Sequence, residues 1–302
     1  MSKLTQEILN TSLSHLSKTG NGLNHAFARL ECNEKELNDI SILTNFPHLR
    51  YVILRSNEIS DISPLDASTN LLSIDASSNK IENLKLAPHE FLQVLLLKDN
   101  AIATLSEEFE QPGLTTLDLS GNQLETLAPL AKLKSLETLV LSNNKLTSMA
   151  GIGELAALQK LVLDGNEITA ISEIEGLESL VELSIAGTKI TKLDGLGEHA
   201  ILASLNISAC ELEGLSDLTP LQALPKLRRI ALADTSIAGG EEYRVEVIIR
   251  LPNLTHIDGV AIKLDERKAA QQLAADRKEE EEKAAAAAAE ANGAAEGEEE
   301  EA

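Results

Sequence analysis

An eleven-position block, L-x-x-L-x-L-x-x-N-x-L/I, recurs along this chain at nearly constant spacing, and no other feature restricts its folding as strongly. "LRYVILRSNEI" starts at Leu49, "LLSIDASSNKI" at Leu71, "LQVLLLKDNAI" at Leu92, "LTTLDLSGNQL" at Leu114, "LETLVLSNNKL" at Leu136 and "LQKLVLDGNEI" at Leu158. Degenerate copies follow from Leu180, Leu202 and Leu227, and an atypical first copy, "FARLECNEKEL", begins at Phe27. The spacing is 22 residues, apart from one of 21 and a last one of 25. A unit this short cannot bury its own apolar face, so neighbours must stack and share one continuous core.

The pattern predicts a leucine-rich-repeat solenoid of the α/β repeat class, a horseshoe of about ten 22-residue repeats. The L-x-L alternation is a short strand with its leucines inward. Asn57, Asn79, Asn100, Asn122, Asn144 and Asn166 form an inward ladder, where an amide can bond backbone groups otherwise buried unpaired. Between strands the leucines step by three, as in Leu127, Leu130, Leu133 and Leu136, which suits 3₁₀ turns better than long α-helices. Cys32 and Cys210 fall in the first and ninth copies, roughly 35–40 Å apart at the strand spacing and far beyond disulfide reach. Both read as buried thiols, Cys210 at a ladder position, as expected in a reducing compartment.

Solenoid ends need covers. Leu4, Ile8, Leu9, Leu13 and Leu16 predict a capping helix over residues 3–18, ended by Lys18 and a left-handed Gly20, within an N-terminal unit of residues 1–22. The "KTGNGL" stretch is no phosphate loop, because its Lys precedes the glycines. Repeats then fill 23–240. Residues 241–262 form a C-terminal cap, with Val247, Ile248 and Leu251 helix-spaced and Pro252 as the stop. Residues 263–302 predict a charged Ala/Glu-rich helix to about residue 291, then a disordered acidic end.

The formal charge of −22 opposes nucleic-acid binding, and six Phe plus Tyr residues with no Trp offer no base-stacking platform. No apolar run reaches membrane or signal-peptide length, which points to a soluble intracellular chain. The six His residues form no HExxH motif, there is no GxSxG, and Asp75 and Asp118 read as solvated surface charge. No enzyme activity, cofactor, metal or small-molecule substrate is expected. The outward strand positions give an apolar band of Tyr51, Ile53, Val94, Leu96, Val140 and Val162, flanked by Arg55, Lys98 and Lys160. This is the candidate protein-binding surface on the concave face. Strand preference for aliphatic residues is the alternative account of the same band.

The repeat and the cap "YRVEVIIRLPNLTHIDGVAI" are similar to the short-repeat class that includes the type-one protein phosphatase regulator and the spliceosomal U2 A-prime protein. The front, "LSHLSKTGNGLNHAFARLECNEKELNDISILTNFPHLRYV" followed by "NEISDISPL", resembles the leucine-rich repeat-containing protein 23 family, radial-spoke proteins of motile cilia. That family usually has Asn-Pro in its last repeat, where this chain has Asp234-Thr235, and its animal members carry an acidic leader before the helix, which is not expected in this chain. The resemblance implies a non-catalytic scaffold in the axoneme of cilia and flagella, with other spoke-head and spoke-stalk proteins as partners. The alternative is a regulatory binding subunit of a type-one protein phosphatase. That class presents aromatic and acidic residues across its concave face, where this chain's pattern places only Tyr51 among its aromatics.

Overall fold

The computed structural model describes residues 2–299 except Gly20, Asn21, Leu23, Glu198 and Glu241. Thirteen short strands form one sheet whose spatial order follows the chain. β1 (Leu13–Lys18) and β2 (His25–Glu31) make an antiparallel hairpin at one end. The parallel strands β3 (Tyr51–Ile53), β4 (Ser73–Asp75), β5 (Val94–Leu96), β6 (Thr116–Asp118), β7 (Thr138–Val140), β8 (Lys160–Val162), β9 (Glu182–Ser184), β10 (Ser204–Asn206) and β11 (Arg229–Ala231) continue from β2. β12 (His256–Ile257) extends the parallel run and β13 (Val260–Ala261) turns back antiparallel.

Each repeat contributes the central residue of its strand to one core. Val52, Ile74, Leu95, Leu117, Leu139, Leu161, Leu183, Leu205 and Ile230 are all 2% exposed or less. The leucine steps of three become turns on the opposite side. Leu130 N–H bonds Leu127 O, Leu133 N–H bonds Leu130 O, and Leu136 N–H bonds Leu133 O, at 2.9, 2.9 and 3.0 Å. A bond to the third residue back is the 3₁₀ geometry, and such turns occur at Ser41–Asn45, Ser63–Ala67, Ala128–Lys132 and Leu215–Ala223, among others.

The Asn ladder is bonded on both sides. Asn122 Oδ1 accepts Ile102 N–H at 3.0 Å, and its Nδ2 donates to Leu97 O, Leu119 O and Ser120 O. Asn57, Asn79, Asn100, Asn144 and Asn166 repeat this arrangement, each tying its own turn to the repeat before it. Further along, Thr188 and Thr235 keep only a hydroxyl, donated to Ile185 O at 2.7 Å and Leu232 O at 2.6 Å. Cys210 donates its thiol to Ile185 O at 3.2 Å. Burial pushes the thiol pKa of both Cys210 and Cys32 up, consistent with inert structural thiols.

The front end departs from the sequence expectation. The helix there, α1, covers only Gln6–Ser12, capped by the Thr5 side chain. Residues 13–18, expected as its continuation, are strand β1. Leu13 and Leu16 therefore lie on opposite faces: Leu13 packs against the core, while Leu16 is 60% exposed. Their spacing of three mimics a helix, but a helix would leave the polar edge of β2 unpaired, and the hairpin pairs it. Within the "KTGNGL" stretch the described residues join β1 to β2, with Thr19 N–H bonding Asn24 O and Gly22 N–H bonding Thr19 O. Residue 22, the expected limit of a separate cap, falls inside that stretch, and the predicted stop at Gly20 lies outside the described residues. Phe27, the inward position of the first copy by pattern, is 47% exposed opposite Leu16.

At the other end α2 (Tyr243–Arg250) buries Val247 and Ile248. An Asp258-Gly259 pair with positive φ at both residues turns β12 into β13. The Asp258 carboxylate accepts Leu232 N–H at 2.7 Å and Ala233 N–H at 3.0 Å, and takes the Tyr243 hydroxyl bond as well. α3 (Leu264–Glu299) lies across α2 through Arg244–Glu266 at 2.7 Å and Arg277 Nη1 to Glu246 at 3.0 Å. It continues past the expected end near residue 291, because its alanines are the strongest helix formers and Gly293 and Gly297 each cost only about 1 kcal/mol. Residues 300–302, in the stretch expected to be disordered, lie outside the described residues.

Candidate protein-docking face

Parallel pairing in register lines up the outward residues of successive strands. One column runs Tyr51, Ser73, Val94, Thr116, Thr138, Lys160, Glu182, Ser204, Arg229. Its neighbour runs Ile53, Asp75, Leu96, Asp118, Val140, Val162, Ser184, Asn206, Ala231. All nine residues of the candidate surface therefore belong to one face of the sheet or its rim. They do not form one uninterrupted band. Asp75 separates Ile53 from Leu96, and Asp118 separates Leu96 from Val140.

The charges on this face are largely satisfied within the chain. Asp75, expected to be solvated, is 3% exposed: it receives Arg55 Nε at 2.5 Å and the Ser77 N–H and hydroxyl at 3.1 and 2.8 Å. Asp118 is half-buried and accepts the Ser120 N–H and hydroxyl at 2.9 and 2.6 Å. Asp164 takes the Ser184 hydroxyl at 2.5 Å and Ala186 N–H at 2.8 Å. Asp75 and Asp118 are held by the turns that follow their strands and Asp164 by the next repeat, so all three tie the sheet together. The sequence signal was present in Asp-x-Ser after the strand, at 75–77 and 118–120, but its meaning depends on the turn geometry.

The basic rim is neutralised in the same way. Arg55 is committed to Asp75, and Lys160 pairs with Glu182 at 3.1 Å, which also lies 3.6 Å from Arg229. Lys98 is the most loosely held of the three, its one ion pair among the described residues being with Asp99 at 4.0 Å. The apolar contacts the face can offer are two islands, Val94 with Leu96 and Val140 with Val162, plus Tyr51 and Ile53 near the front. Such a face suits docking of a mixed apolar and polar protein surface. No cluster of His, Cys, Asp and Glu able to hold a metal occurs among the described residues, and no described helix is long and apolar enough to cross a membrane.

Comparison with known proteins agrees with this architecture. A "Leucine-rich repeat" family model matches residues 155–288 and a "Leucine Rich repeats (2 copies)" model matches residues 112–154. Leucine-rich repeat-containing protein 23 of Bos taurus is 40% identical over 116 residues, 38% of this chain and 34% of that protein. The Xenopus tropicalis protein of the same name is 57% identical over 54 residues, 18% of this chain and 15% of that protein. The matched segment thus spans about a third of the curated mammalian relative's length. An internalin (InlF) of Listeria monocytogenes superposes with a TM-score of 0.53 at 20% identity, covering 79% of this chain and 84% of the other. A second, internalin C2 of the same organism, gives 0.50 at 22% identity over 67% and 80% of the two chains. The fold is a leucine-rich-repeat solenoid, and over the matched segment the chain is homologous to proteins named leucine-rich repeat-containing protein 23.

Proposed function

We propose that this chain is a non-catalytic scaffold of the axonemal radial spoke in motile cilia and flagella, holding other spoke proteins in place and so supporting motility. The observation that carries the reading is the similarity to leucine-rich repeat-containing protein 23, joined to a long continuous core that makes the sheet a stiff platform. A solenoid presents a large surface to several partners at once, and partner binding by a concave repeat face is the common use of the architecture. Tyr51, Ile53, Val94, Leu96, Val140 and Val162 are the apolar contacts of that face, with Lys98 its most loosely paired cation. Fixing partners calls for shape and stability, and the proposal assigns the chain no reaction, cofactor or substrate.

The test is to tag the protein in a ciliated cell, recover it from salt-extracted axonemes and identify its companions by mass spectrometry. Spoke-head and spoke-stalk proteins are the expected companions. A phosphatase catalytic subunit without spoke components would replace this reading with that of a phosphatase regulator.

A further inference from the structure

We propose that the N-terminal hairpin captures an acidic, extended segment of a protein partner, which adds to the sheet as a new strand alongside β1. β1 is the last strand of the thirteen-stranded sheet and pairs only with β2, so its outer edge faces no other described strand. Sheet edges are usually blunted by proline, by several charges or by a covering segment. β1, "LSHLSK", has no proline and one cation at its end; its backbone is left-handed at His15 (φ 57), so the regular edge on offer is Leu16–Lys18. An open edge of this kind recognises an extended peptide through its main chain, with alternate side chains supplying specificity.

The side chains beside the edge define the chemistry. Leu16 and Phe27 face each other across the hairpin at 60% and 47% exposure. Tyr51, 36% exposed, lies diagonally from Phe27, because Arg29 is its direct partner in the register. Two of the chain's six aromatic side chains are thus spent on a solvent-facing cluster at this end. One step along the same ladder, Ser17 pairs with Ala26 and Lys18 with His25. There Ser17, Lys18, Ala26, His48, Arg50 and Asn70 line a small cleft.

Charge selects the occupant. The whole chain carries −22, yet residues 13–30 and 40–57 contain no Asp or Glu at all. Arg29 is paired with Glu31 at 2.9 Å and Arg55 with Asp75 at 2.5 Å. Lys18 and Arg50 have no carboxylate within ion-pair distance among the described residues, so the cleft holds two uncompensated cations on an otherwise acidic molecule. A second copy pairing edge to edge would bring its own hairpin cations against these. A partner strand instead needs an apolar residue opposite Leu16 and, two positions along on the same face, a carboxylate opposite Lys18. The recognised pattern is apolar-x-acidic in an extended segment.

The experiment uses the full chain and a labelled octapeptide, Thr-Val-Thr-Glu-Thr-Val-Thr-Glu, followed by fluorescence anisotropy. Binding is expected, weakened by salt, and about tenfold weaker for the same peptide with Lys in place of Glu or Ser in place of Val. The variants Lys18→Glu with Arg50→Glu, and separately Leu16→Ser, should each reduce binding by a similar factor while circular dichroism shows an unchanged fold. Because a strand bonds its neighbour through alternate amides, N-methylation in one phase should abolish binding and in the other phase leave it intact. No binding at millimolar peptide, indifference to both N-methyl phases, or equal binding by the Ser-for-Val peptide would each overturn the proposal. So would sedimentation showing a dimer of the chain that Leu16→Ser dissolves, since the edge would then belong to a second copy. None of these outcomes depends on the spoke assignment, which the axoneme pull-down tests separately.

Discussion

Replacing Asn122 by Leu isolates what one rung of the ladder does. The amide makes four bonds, and the structure shows which of their partners have others. Leu97 O also receives Asn100 Nδ2 at 2.9 Å, Leu119 O receives Asn144 Nδ2 at 3.0 Å, and Ser120 O receives Asp99 N–H at 2.8 Å. These three carbonyls keep a donor when Asn122 is lost. Ile102 N–H does not: Asn122 Oδ1 is its acceptor, and Ile102 is fully buried. One orphaned buried donor costs about 1–3 kcal/mol. Leucine has four side-chain heavy atoms branched at Cγ, as asparagine does, so no cavity adds to the cost. Urea unfolding followed by far-ultraviolet circular dichroism should therefore give a loss in that range, with the slope against denaturant unchanged. A melting temperature and urea midpoint equal to those of the parent chain would remove this account of the ladder. A loss well above the range would mean that the three shared carbonyls are not independently satisfied.

Four further outcomes follow from the same geometry. Gly176→Ala should destabilise by about 1–3 kcal/mol in the same unfolding assay, because its new Cβ would sit 2.0 Å from Gly153 O, a backbone atom that cannot step aside. Gly239→Ala, where nothing lies within 4 Å, should stay within about 0.5 kcal/mol of the parent. His89 is buried with Nε2 unbonded and 3.7 Å from Asp66; burial pushes its pKa down, more than Asp66 restores it. The folded state thus prefers neutral His89, so stability is full above the unfolded value of about 6.5 and falls as pH drops through the lower folded value. His199 is lowered by burial too and adds the same sign, so His89→Gln should flatten, not abolish, the fall in melting temperature between neutral and mildly acidic pH. Finally, Leu96→Asp with Val140→Asp should weaken capture of axonemal partners while leaving the fold intact, since both side chains point outward and are only half-buried; undiminished capture would reduce the concave islands to ordinary strand surface.

What the sequence made legible is what depends on period alone. The strand positions, the 3₁₀ steps, the ladder and the buried cysteines each follow from counting residues modulo 22, because stacking forces every repeat into the same environment. The front end breaks the period, and there counting misleads: Leu13 and Leu16 satisfy a helical spacing, yet pairing the open edge of β2 outweighs it. The docking face was half legible for a related reason. Register fixes which residues point outward, so the columns containing Tyr51, Ile53, Val94, Leu96, Val140 and Val162 could be written from sequence. Whether a charge in those columns is available to a partner depends on neighbours 20 or 22 residues away, as Arg55 with Asp75 and Lys160 with Glu182 show. Those pairings neutralise the middle of the face. The exposed side chains of Leu16, Phe27 and Tyr51 lie together at the hairpin end of the sheet, close to Lys18 and Arg50. In a solenoid the end repeats are where the chain's own chemistry is left unsatisfied, and this one leaves a basic, apolar, strand-shaped edge.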